Sequence, residues 1–252
     1  MPVTVRAEDE AAARRVDAAS KALPRISVVV PVLDEEARIG RQLAHLASLE
    51  GLYEVIVEDG RSRDRTIEQV KAARRARLLA APRGRASQMN AGAAAATGDV
   101  LLFLHADVEL PRDAARRVAE TLRDARVVAG AFRTWTVPDG ERRSWLGPLL
   151  HLADLRSRYS RLPYGDQAIF VRASAFRAVG GFPQQPLMED VELSRRLRSL
   201  GRIRTVPSSV RVSGRRFQAR PFTYLILMNV FPLLYRLGVP ARALARLYGN
   251  PR

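Results

Sequence analysis

Four short clusters carry residue types that do chemistry: Asp34 with Glu35, Glu58 with Asp59, His105 with Asp107, and Glu189 with Asp190. Adjacent carboxylates suit proton transfer, hydroxyl recognition or a hard cation. His105 and Asp107 stand two residues apart, directly after the apolar run Val100–Leu104. Where an extended chain breaks, both can face one divalent ion. A carboxylate with few other protein ligands suits Mg²⁺ or Mn²⁺, which also take phosphate oxygens and water. Each cluster has a plainer reading. Asp34 and Asp64 suit helix N-caps, Asp107 the approach to the next helix, and His105 packing beside a sheet.

Elements of alternating type must position these groups. Ile26–Val32 is β-branched and apolar throughout, as a strand buried on both faces would be. A helix to Leu49 follows, with Ile39, Leu43 and Leu46 at helical spacing. Tyr53–Val57 reads as a strand, Asp64–Thr66 opens a helix, and Leu78–Ala81 makes a short third strand. Gly84–Ala96 leads into an Ala-rich helix, Val100–Leu104 is a strand, and Pro111 opens a helix to about Asp124. Val127–Val137 is strand-like, Trp145–Tyr159 helical, and Gln167–Val171 a strand. Ser174–Val179 and Asp190–Leu200 read as helices, with short strands around Ile203 and Val210. This order predicts an α/β fold: an open, mostly parallel twisted sheet with helices on both faces. In such sheets ligands bind beyond the carboxyl ends of the strands. The four clusters fall there or in later loops, and capping alone does not account for their joint placement on one rim.

Composition narrows the classes. Cysteine is absent, which excludes thiol catalysis, disulfides and Cys-ligated metals, and three histidines make a multi-His site a poor expectation. The formal net charge is +16, and all but Lys21 and Lys71 of the 42 basic residues are arginine. Such a surface is either simply solvated or drawn to polyanions such as nucleotide phosphates and acidic lipids. With 6% aromatic residues a base-stacking surface is not expected, and nucleic acid is not an expected partner. Residues 1–24 carry charges and no apolar run, so no secretory signal is expected there. Phe222–Val239 is the most apolar stretch, and Asn229, Pro232 and Arg236 interrupt it, so no spanning helix is expected.

Several ordered blocks then resemble one family. Ile26-Ser-Val-Val-Val-Pro-Val-Leu-Asp-Glu-Glu36, Asp59-Gly-Arg-Ser-Arg-Asp-Arg-Thr66, Arg85-Ala-Ser-Gln-Met-Asn-Ala-Gly92 with Ala96-Thr-Gly-Asp99, His105-Ala-Asp107 and Glu189-Asp190 are similar to the blocks of family 2 glycosyltransferases of the GT-A fold. The likeness runs from about residue 26 to 217. Phe103–Asp107 and Pro186–Asp190 most resemble a small bacterial branch labelled radical-SAM/selenodomain-associated transferases, a label of gene neighbourhood that implies no substrate.

The resemblance implies an inverting transfer of a sugar from a nucleoside-diphosphate sugar, UDP-hexose by default, to an acceptor hydroxyl. It implies that Pro31, Asp34, Glu35 and Asp59 line the base and ribose, and that Arg85 and Asn90 approach the base or diphosphate. Asp107 would bind a Mg²⁺ or Mn²⁺ ion with His105 as a weaker participant, and Asp190 would be the base, with Glu189 its rival. Asp190 opens a helix, whose N-terminal dipole favours negative charge. Two departures stand out: His105 replaces the usual first metal carboxylate, and Gly60 stands where many relatives carry an acid. Arg215 and Arg216 suit the diphosphate, or are an exposed pair in an Arg-rich chain. Gly165–Arg172 and Gly180–Phe182 resemble the acceptor-side strand and turn, where Asp166 and Gln167 serve either the sugar and acceptor or the turn itself.

The resulting expectation is an N-terminal extension over 1–24, a catalytic domain over 25–217 and an apolar helical tail over 218–252. The alternatives are a nucleotidyltransferase of similar sheet, which usually carries a glycine-rich loop after the first strand, and a basic adaptor for membrane or nucleic acid. Phe222, Leu225, Leu227, Met228, Phe231, Leu233, Leu234, Leu237 and Val239, with Arg215, Arg216, Arg220, Arg236, Arg242 and Arg246 around them, suit an anionic bilayer interface equally with packing on the domain or a dimer contact. The membrane reading implies a peripheral protein on the cytoplasmic face and a lipid acceptor; a small metabolite is the other acceptor.

Overall fold

In β1 (Ile26–Val32), Val28, Val30 and Val32 face one core and Val29 faces another. That alternation is what a strand sealed on both sides requires. The structure, a computed structural model, describes residues 23–138, 154, 157, 162–215 and 230–248. The expected extension up to residue 22, the 145–159 helix apart from Asp154 and Ser157, Arg216 and the first part of the tail lie outside the described residues.

Around β1 stand β2 (Leu52–Asp59), β3 (Ala76–Ala80) and β4 (Val100–Phe103), all parallel. The two-residue β5 (Val108–Glu109), β6 (Val127–Val137), β7 (Phe170–Arg172) and β8 (Arg202–Ser213) complete one eight-stranded sheet. Its order is β3-β2-β1-β4-β7-β6-β8-β5. β7 runs antiparallel to β4 and β6, β5 antiparallel to β8, and β6 parallel to β8.

Helices cover both faces, as expected. α1 (Ile39–Ala47), α2 (Thr66–Ala72) and α4 (Ala114–Thr121) pack with Val28, Val30 and Val32. α3 (Arg85–Ala95), α5 (Ala173–Ala178) and α6 (Glu189–Leu197) pack with Val29, Leu101 and Phe103. The rings of Phe103, Phe176 and Phe182 meet there at 4.8 to 5.5 Å, two of the three pairs edge to face. Helical residues 230–236 and α7 (Ala241–Tyr248) follow β8 after a gap in the described chain.

Two local readings differ from the sequence pattern. Residues 165–167 form a 3₁₀ turn, and β7 begins at Phe170. The Gln167 side chain accepts from the Tyr164 N–H at 3.0 Å, and this local bond competes with extension. The strands expected around Ile203 and Val210 are one strand. Val206 pairs with Phe132 and Ser209 with Arg133, so Pro207 and Ser208 bulge from the ladder between them.

One buried group is out of keeping with the core. Glu58 points toward α3, has no exposed surface, and its carboxyl hydrogen-bonds to no other side chain or backbone group among the described residues. A β-carbon on Gly92 would lie 2.0 Å from its Oε1, so only glycine lets α3 pass over it. Burial pushes its carboxyl well above the ordinary glutamate range. The folded state therefore keeps a proton that the unfolded chain releases. Stability is full below the ordinary value of about 4.5 and falls as pH rises toward the folded one, by up to about 1.4 kcal/mol per pH unit. Urea denaturation of wild type and Glu58→Gln across this range should show the variant gaining on wild type as pH rises. Parallel profiles would remove the buried-acid account.

Candidate active site

The loops after β1 and β2 are zipped together. The Asp34 N–H donates to Ser62 Oγ at 3.0 Å, and Asp34 Oδ1 accepts from the Arg63 N–H at 2.8 Å. The Glu35 N–H donates to Thr66 Oγ1 at 2.8 Å, and the Glu36 N–H to Asp64 Oδ2 at 3.0 Å. Asp59 ends β2 and turns the chain by accepting the N–H groups of Arg61 at 2.9 Å and Ser62 at 3.1 Å. From α3, the Gln88 amide donates to the carbonyls of Val32 at 2.7 Å and Glu58 at 2.8 Å, satisfying both strand ends. Pro31 lies half-buried in β1 opposite Glu58.

Beside this wall the charges converge. Arg215 places its Nη2 2.8 Å from Glu35 Oε1 and 3.4 Å from Asp107 Oδ2. Arg38 approaches the same Glu35 at 3.7 Å. The Arg215, Glu35 and Asp107 side chains are only 20%, 11% and 13% exposed, so water screens this group weakly. β8 brings Arg215 there: β5 pairs with Val212 and Arg211, and the Ser213 N–H donates to the Asp107 carbonyl at 3.0 Å.

The third wall carries the acidic pair that opens α6. Asp190 Oδ2 accepts the Gly165 N–H at 2.5 Å, and its Oδ1 accepts the Val191 N–H at 2.8 Å. Glu189 is buried behind it. Burial pushes its carboxyl up, the Arg85 guanidinium 3.4 Å away pulls it back, and the neighbouring Asp190 pushes it up again. The two adjacent acids therefore differ: Glu189 is sealed against Arg85, whereas Asp190 is half-buried at the rim. A β-carbon on Gly165 would lie 3.0 Å from His105 Nε2 and 3.4 Å from Asp190 Oδ2. Thus His105 leans toward the Asp190 side, while Asp107 meets Arg215.

Most of the expected residues meet on this one rim: Asp34, Glu35, Asp59, Arg85, His105, Asp107, Glu189, Asp190 and Arg215. Two other expected residues are taken up by the scaffold. The Asn90 amide is spent on Phe182, donating to its carbonyl at 2.8 Å and accepting its N–H at 2.9 Å. Gln167 is buried and donates to the Phe132 carbonyl at 2.9 Å. Asp166 is half-buried in the same turn. Sequence reasoning did not single out Gln88, Thr66 or Gly165, although each lies inside or beside a quoted block. Among the described residues no group of three or more His, Asp or Glu side chains forms a ready-made metal cage.

A family model described as Glycosyl transferase family 2 matches residues 27–180. A beta-monoglucosyldiacylglycerol synthase of Synechocystis sp. is 28% identical over 203 residues, covering 72% of this chain and 42% of that protein. An undecaprenyl-phosphate 4-deoxy-4-formamido-L-arabinose transferase of Pseudomonas paraeruginosa is 32% identical over 143 residues, covering 52% of this chain and 42% of that protein. The chain spans less than half the length of these curated relatives. Among solved structures, the mannosyltransferase PcManGT of Pyrobaculum calidifontis, in complex with GDP-Man and Mn²⁺, superposes with a TM-score of 0.60 at 22% identity, over 76% of this chain and 57% of that one. The likeness identifies the fold as GT-A type.

The bonds of Asn90 make a measurable distinction. Asn90→Ala should lower stability by about 1–3 kcal/mol, because the Phe182 N–H and carbonyl lose their partner, and leave UDP affinity within about twofold. Thermal denaturation and a UDP titration read the two effects. A large loss of UDP affinity at unchanged stability would return Asn90 to the ligand.

Proposed function

The chain belongs to glycosyl transferase family 2, and from that premise we propose that it moves a sugar from a nucleoside-diphosphate sugar to an acceptor hydroxyl with inversion. The observation that carries this reading is the pair Glu189–Asp190 at the start of α6. Arg85 seals one acid, and the other stands at the rim beside Gly165, fixed by two backbone N–H groups. Asp190 takes the acceptor proton as the hydroxyl oxygen attacks the anomeric carbon. The bond from that carbon to the diphosphate oxygen breaks on the opposite side, and the nucleoside diphosphate leaves with the electron pair. The wall of Pro31, Asp34 and Asp59 suits the base and ribose, and UDP-hexose is the first donor to try. Residues 25–217 form the catalytic unit in this reading.

The leaving diphosphate develops charge, and the Asp107 side suits its neutralisation. The donor set fits a hard divalent ion: Asp107 is a mostly buried carboxylate that already meets a cationic group, and His105 lies on the same loop. Asp107, with His105 as a weaker participant, would hold a Mg²⁺ or Mn²⁺ ion, with diphosphate oxygens and water completing the shell. Bound there, such an ion supplies Lewis-acid stabilisation of the leaving group.

For the acceptor we favour a lipid. Residues 230–236 and α7 bury Phe231 and Leu244 yet leave Leu233, Leu237 and Leu247 at 55%, 73% and 70% exposure. Arg236, Arg242 and Arg246 are exposed beside them. Among the described residues no helix is long and apolar enough to cross a membrane. Exposed leucines flanked by arginines suit an amphipathic segment lying in an anionic interface, and the names of the two curated relatives include lipids.

Asp190→Asn should lower kcat by about 10²- to 10⁴-fold, the range for a lost general base, while UDP still binds. UDP release from UDP-sugars with a lipid acceptor measures it, and near wild-type turnover would reject Asp190 as the base. Vesicle flotation tests the tail. Replacing Leu233, Leu237 and Leu247 by serine together should abolish binding to anionic vesicles at low salt. Wild-type protein that ignores such vesicles would rule out the interfacial role.

A further inference from the structure

Arg215 holds two carboxylates from two different strand ends, Glu35 beyond β1 and Asp107 beyond β4, in a group that water barely reaches. The contacts are unequal. Its Nη2 lies 2.8 Å from Glu35 but 3.4 Å from Asp107, and Glu35 has a second cation, Arg38, at 3.7 Å. A buried carboxylate stripped of its counter-charge is costly, so the Arg215 contact stabilises Asp107 in the donor-free site. The same contact opposes a bare metal ion: to reach Asp107, the ion must first displace a tethered guanidinium.

We propose that Arg215 is an exchangeable stand-in for the divalent cation, a role that rests on the glycosyltransferase reading. With no donor, it neutralises Asp107. When a nucleoside diphosphate arrives with its cation, Asp107 passes to that cation. The longer of its contacts to Glu35 and Asp107, the one to Asp107, breaks, and Glu35 keeps hold of the side chain. The freed N–H groups of the guanidinium then face the diphosphate, which a planar fork binds in two places. The site thus discriminates against metal alone and takes up metal and diphosphate together.

The test needs no turnover. Mn²⁺ binding is followed by electron paramagnetic resonance in wild type, Arg215→Ala and Arg215→Lys, without and with UDP, and circular dichroism checks folding. Mn²⁺ alone should bind Arg215→Ala about tenfold more tightly than wild type, roughly one charge-assisted hydrogen bond in scale. UDP with Mn²⁺ should bind the same variant about tenfold more weakly. Arg215→Lys, which cannot reach both acids as a fork, should bind Mn²⁺ alone with intermediate affinity, and it serves if the alanine variant does not fold. Folded variants that take Mn²⁺ alone no more tightly than wild type would overturn the exchange while leaving the transferase reading intact. Wild type that binds no nucleoside diphosphate with Mn²⁺ would overturn both.

Discussion

β1 has helices against both faces, so its backbone can meet ligands only where the strand stops. There the chain must turn, satisfy its last carbonyls and stay polar without losing the seal. Gln88 meets the carbonyls, and Asp34, Asp59, Asp64 and Thr66 meet the amides of the departing loops. These side chains are fixed by backbone, so the wall they make is rigid before any ligand arrives. A preformed wall loses little freedom on binding.

The rim's ionisable groups differ because their surroundings do. Glu58 is sealed beneath Gly92, and burial favours its neutral form. Glu189 is buried as deeply but has Arg85, so two effects oppose each other there. Glu35 and Asp107 are shielded but share Arg215. Asp190 alone of the acidic pair stands half-open, its carboxylate aimed by two amides. The carboxyl group thereby appears in four settings: buried and neutral, braced by a guanidinium, sharing one cation, and half-open at the rim.

Much of this was legible in the chain itself. Runs such as Ile26–Val32 and Val100–Leu104 place strands because few other patterns are apolar on both faces. The acidic clusters fall where those runs end, which located the rim. Long-range partnerships were not legible. Nothing near Asn90 in sequence signals Phe182, 92 residues away, and nothing near Glu35 signals Arg215. The turn at Gly165 was hidden because Gln167 looks like the start of a strand until its side chain is seen bonding Tyr164. β5 has two residues, too few for any period to show.

The bulge in β8 inserts Pro207 and Ser208 against β6, and the number two matters. Successive strand residues alternate between faces, so a pair of extra residues leaves the alternation unchanged. Val206, before the bulge, and Val210, after it, accordingly enter the same core. The extra pair is absorbed with both valines still in the core, and the strand runs on to Ser213, whose N–H meets the Asp107 carbonyl.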